Sequence, residues 1–92
     1  MFAVVIKFSD GTEIFQKPRE GSKEDAFTHF MNKICAGKCC AEFIEDDDIH
    51  HYSDFFPEAP SNYELLHVAD KGDVFSPFNN KWQLYFVYYV KD

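Results

Sequence analysis

The chain has 92 residues, 46% of them hydrophobic, with eleven Phe, five Tyr and one Trp, and a formal net charge of −7. That length allows one domain, residues 1–92, and the apolar and aromatic content excludes a disordered chain. The acidic balance argues against direct nucleic-acid binding and against an anionic membrane surface, both of which need clustered Lys and Arg.

Residues 2–17 read as a β-hairpin. Phe2, Val4, Ile6 and Phe8 alternate onto one face, and Ser9-Asp10-Gly11 supplies the turn. With Gly11 in a left-handed position, Ile6 falls opposite Ile14 and Lys7 opposite Glu13. Pro18 to Gly21 is a loop. Ser22 is an N-cap with Asp25 as its capping-box acid, opening a helix over 22–36. Ala26, Phe27, Phe30, Met31, Ile34 and Cys35 share one face of it, Gly37 ends it, and His29 points away from that stripe to solvent.

Lys38 to Glu45 reads as a strand with Cys39, Ala41 and Phe43 on its apolar side. Asp46-Asp47-Asp48 either caps a short helix through Ile49, Tyr52 and Phe55/Phe56, ended before Pro57, or belongs to an acidic loop. Glu64 to Ala69 is a strand, and Lys71-Gly72 a turn. Val74 to Ser76 is a short edge strand, and Asn79-Asn80 a tight hairpin that sets Phe75 opposite Leu84 and Pro77 opposite Trp82. In the last strand, Lys81 to Val90, Trp82, Leu84, Phe86, Tyr88 and Val90 take one face and Tyr85, Val87 and Tyr89 the other. So apolar a strand belongs in the middle of a sheet. The sum is an α+β fold: a ββαβ unit plus a β-meander. It predicts one mostly antiparallel sheet of five or six strands with one main helix packed on one face.

Charge is distributed unevenly along this pattern. Between Cys39 and Asp70 there are nine acids and no Lys or Arg: Glu42, Glu45, Asp46, Asp47, Asp48, Asp54, Glu58, Glu64 and Asp70. Like charges held together repel, and nothing local offsets them. Such a surface suits docking onto a basic partner, and spaced carboxylates can stand in for nucleic-acid phosphates. The predicted partner-binding residues are Glu42, Glu45, Asp46, Asp47, Asp48, Tyr52, Asp54, Glu58 and Glu64. The interleaved Ile49, Tyr52, Phe55, Phe56 and Tyr63 are core residues first and interface anchors if exposed.

Other chemistry is less well supported. Cys35, Cys39, Cys40, His50 and His51 loosely resemble a Cys/His metal site, but their spacing lacks the two-residue knuckle of defined zinc sites. A small metal-binding domain is therefore the alternative, and no metal or other cofactor is expected. No nucleophile elbow, Gly-rich phosphate loop or His-Glu-x-x-His occurs, so no catalytic residue is named and the chain is not read as an enzyme. Tyr85, Val87 and Tyr89, on the solvent side of the last strand, offer a third reading as a self-associating assembly subunit, monomer or homodimer, unless a segment such as residues 46–63 covers them.

An odd set of three cysteines fits a reducing compartment. The start lacks a basic n-region and a small-residue cleavage site, so a cytoplasmic protein is expected. In general character (short, acidic, aromatic-rich, hairpin first, without catalytic signature) the chain resembles small bacteriophage proteins that inhibit host machinery, such as anti-CRISPR and anti-restriction proteins. The resemblance rests on no residue motif. It implies a basic protein or nucleoprotein complex as partner, in the cytoplasm of a host cell if the chain is phage-encoded.

Overall fold

The structure is a computed structural model. It describes residues 1–34, 41–71 and 82–91, with the side chains of 33, 34, 41 and 42 outside that description. The hairpin joins β1 (Phe2–Phe8) to β2 (Glu13–Phe15). Ile6 stands opposite Ile14 and Lys7 opposite Glu13, as the turn chemistry predicts. Gly11 carries the positive φ of +90° that closes the turn, and the Phe8 amide donates to the Thr12 carbonyl at 2.8 Å. The Thr12 amide also donates to Asp10, at 2.8 Å, and this bond holds the Asp10 carboxyl below its usual range. Lys7 and Glu13 complete the hairpin as an ion pair at 3.7 Å.

Gly21 leads into the helix at φ +148°, where a Cβ would sit 2.8 Å from the Phe2 ring and 2.9 Å from the Asp25 Cβ. Ser22 then caps α1 (Lys23–His29) with both halves of the predicted capping box in place. The Ser22 amide donates to the Asp25 carboxylate at 2.7 Å and the Asp25 amide to the Ser22 hydroxyl at 3.2 Å. The first of these bonds holds the Asp25 carboxyl below the usual carboxylate range. The helix passes into a π-helical turn, Phe30–Ile34. Ala26 and Phe30 are fully buried, whereas Phe27 is 42% exposed and leaves the predicted core stripe. His29 differs from expectation too: it is half-buried, its ring 5.4 Å from that of Phe2.

β3 (Ala41–Phe43), β4 (Tyr63–Lys71) and β5 (Gln83–Val90) complete one sheet in the order β2-β1-β5-β4-β3, every neighbour pair antiparallel. The α+β class and the antiparallel sheet agree with the sequence reading. β5 occupies the centre, where its two apolar faces can both be covered. A bulge between Leu65 and His67 in β4 inserts Leu66 as an extra residue that packs toward α1. The predicted strand at Val74 to Ser76, the Asn79-Asn80 hairpin and Gly37 lie outside the described residues. Leu84 stands between Lys7 on β1 and Asp70 on β4.

Two cores flank the sheet. Under α1 lie Phe2, Val4, Ala26, Phe30, Ala69, Tyr85 and Val87. Tyr85 and Val87 are therefore covered, by α1 and not by residues 46–63, which corrects the sequence reading of that face of β5 and removes these two as a self-association surface. On the other face lie Val5, Val68, Trp82, Leu84, Phe86 and Tyr88. Those residues are sealed by a 3-10 helix, Asp46–Phe55, so the helix-or-loop choice at 46–56 resolves to a helix of the tighter kind.

Tyr88 belongs to that second core. Burial, with a smaller contribution from the Glu13 charge, pushes its phenol from 10.0 up to about 12. A raised phenol pKa means the fold favours the neutral form. Its contribution is fully present below about pH 10 and is lost as the unfolded chain, then the native one, gives up the proton toward pH 12. Because the phenol oxygen keeps some contact with solvent, only part of that shift appears as stability, on the order of 1–2 kcal/mol. Urea unfolding of wild type should weaken by about that much over this window, and Tyr88→Phe should flatten the slope while leaving stability near pH 7 within about 1.5 kcal/mol.

Candidate protein-docking site

The 3-10 helix decides where the acidic residues go. With three residues per turn, side chains three apart eclipse one another in straight rows. One row, Ile49, Tyr52 and Phe55, is half-buried against the second core. The Phe55 ring meets Trp82 edge-on at 5.3 Å, and Phe56, just past the helix end, meets Phe86 edge-on at 5.5 Å. The remaining rows, Asp47/His50/Ser53 and Asp48/His51/Asp54, are exposed. Anchoring one row of aromatics thus forces the others, carboxylates included, into solvent.

Asp46 at the start of the helix and Glu45, its N-cap residue, are exposed as well, as is Glu58 beyond the buried Pro57. Glu45, Asp46, Asp47, Asp48, Asp54 and Glu58 therefore come together on one short segment. Among the described residues none of them forms an ion pair. Asp46 to Asp48 lie at the positive end of the helix, which supports their charge there.

Three of the predicted partner-binding residues stand apart from this group. Glu64 lies opposite Tyr89 in the β4–β5 ladder, on the α1 side of the sheet. There it accepts Lys23 at 3.3 Å and Lys91 at 4.0 Å. It is on the wrong face and its charge is offset by lysines from both flanks of the chain, which corrects its place in the site. Tyr52 is a core residue with one edge at the surface. Burial, then the charges of Asp70 and Asp48, push its phenol up and keep it neutral. Glu42 stands opposite Asp70 in the β3–β4 ladder.

Sequence reasoning missed two aromatics. Phe27 and Phe43 are 42% and 37% exposed, and their rings stack at 5.4 Å with 19° between planes. His67 meets both edge-on, at 5.8 Å and 5.5 Å. Phe43 also lines a shallow depression of about 240 Å³ with Ile44, Glu45, Asp46 and Asp47. The available sign was Phe43 standing two residues before the acidic run.

His50 and His51 place their rings 3.9 Å apart on the exposed side of the 3-10 helix. Among the described residues no group of three or more His, Cys, Asp or Glu is placed to hold a metal, and Cys35, Cys39 and Cys40 lie outside them. Among the same residues no helix is long and apolar enough to cross a membrane. Comparisons with protein-family models, curated proteins and solved structures find no match.

Proposed function

We propose that this is a non-catalytic acidic interaction protein that docks on a basic, nucleic-acid-handling protein or nucleoprotein complex and inhibits it by occupying its nucleic-acid groove. One observation carries the reading: six carboxylates, Glu45 to Asp48 with Asp54 and Glu58, exposed on a segment anchored by its half-buried row, without ion-pair partners among the described residues. A groove that binds phosphates through Lys and Arg attracts such a segment by the same electrostatics. The half-buried row beneath positions the backbone that carries the carboxylates, which lowers the ordering cost of binding.

The test is competition. Nuclease-treated lysate is passed over the immobilised protein, the captured partner is released with rising salt, and its rebinding is measured with and without duplex DNA or RNA. Nucleic acid should displace the protein, and binding should weaken steeply as salt shortens the Debye length below about 8–10 Å. A partner that holds nucleic acid and this protein at once would overturn the mimicry.

A further inference from the structure

We infer that the stacked Phe27 and Phe43 rings, with the acid-lined depression that shares Phe43, receive an arginine side chain of the partner. This rests on the acidic-docking reading above and names the contact that gives it chemical selectivity.

Two partly exposed aromatics stacked on each other, one on α1 and one on β3, leave apolar ring surface in contact with solvent. Phe43 also lines the depression, together with Ile44, Glu45, Asp46 and Asp47. Glu24, exposed on α1, stands three residues before Phe27 and adds a carboxylate on the neighbouring helix surface. Among the described residues the nearest lysine along α1, Lys23, is committed to Glu64 at 3.3 Å and sits 5.4 Å from the Tyr89 ring centroid.

An aromatic plane bordered by carboxylates matches one side chain better than any other. Guanidinium is planar, stacks on rings, and presents a fork of N–H donors to a carboxylate. Lysine matches the charge but neither the plane nor the fork. A purely apolar partner matches the rings but strands the carboxylates.

Nona-arginine and nona-lysine peptides, equal in charge, separate these cases by titration calorimetry in roughly 0.05 M salt, well below physiological screening. Wild type should bind nona-arginine about two- to fivefold more tightly, the ratio expected of one exposed cation–π contact. Phe43→Leu should bring the two affinities together. Because Phe43 also touches Phe30, at 5.3 Å, Phe27→Leu serves as a second variant, and thermal unfolding checks that both are folded. Equal binding of the two peptides by wild type, or an arginine preference that survives in both folded variants, would overturn the inference. If binding is equal yet lost on Asp46→Lys/Asp47→Lys/Asp48→Lys, the acidic-docking reading stands and only the arginine contact falls. If neither peptide binds, both fall.

Discussion

Replacing Asp46, Asp47 and Asp48 together by lysine is expected to slow association with a basic partner by at least about tenfold at roughly 0.15 M salt. Each reversal changes the charge by two, so the three bring the formal net charge from −7 to −1. The local effect is larger, because these residues supply half of the six carboxylates gathered on the exposed segment. Exposed charges act mainly on encounter, so the loss should fall on kon more than on koff, and the remaining affinity should depend less on salt.

The fold should survive the change. All three side chains are exposed, and substitutions at such positions usually move stability by about 0.5 kcal/mol each or less. Lysines at the positive end of a helix add a small cost of about 0.3–1 kcal/mol each, partly offset by relief of repulsion among the carboxylates. The triple asparagine variant separates the two contributions, since it removes charge without opposing the helix. Surface plasmon resonance of wild type, the asparagine variant and the lysine variant should show a graded fall in kon. An unchanged rate in the lysine variant would remove the acidic segment from the function.

Much of this arrangement is written in short-range pattern, and what is not has a physical reason. The β1–β2 register follows from one glycine and an alternation, because a tight turn leaves no freedom to slip. The capping box of Ser22 and Asp25 is equally local. Which face of β5 each helix covers is not legible, since Trp82/Leu84/Phe86/Tyr88 and Tyr85/Val87 are both apolar enough to be buried. Phe27 follows helical spacing yet lies half in solvent, and only tertiary placement reveals it.

The 3-10 helix is an intermediate case. Ile49, Tyr52 and Phe55 recur every three residues, a row that would wind by about 60° per step around an α-helix and runs straight along a 3-10 helix. That spacing is readable, but three residues are few to decide on. Glu64 was least legible of all. Its position among the acids of the middle third says nothing of Lys23 and Lys91, which reach it from 41 and 27 residues away.

Phe86→Ala should be the most damaging single change to stability, costing about 3–5 kcal/mol. Phe86 is fully buried on the central strand, stands opposite Val5 on β1 and Val68 on β4, and takes the Phe56 ring edge-on. Truncation removes the platform on which the residue just past the 3-10 helix rests, and leaves a cavity between the sheet and that segment. A domain of this size is usually stable by about 5–15 kcal/mol, so the loss consumes a large share of the total. Urea unfolding should show a lower midpoint with an unchanged slope.

Phe56→Ala, at a half-buried site, should cost less, and a double-mutant cycle on the pair should give about 0.5–1.5 kcal/mol of coupling. Hydrogen exchange adds the link to function: amides of 46–56 should lose protection in Phe86→Ala before those of β1 and β5 do. If the carboxylates act from a fixed surface, this variant should also bind more weakly while keeping every charge. Unchanged binding in a variant whose 46–56 amides exchange freely would mean that net charge alone suffices, and the anchoring of the aromatic row would have no part in recognition.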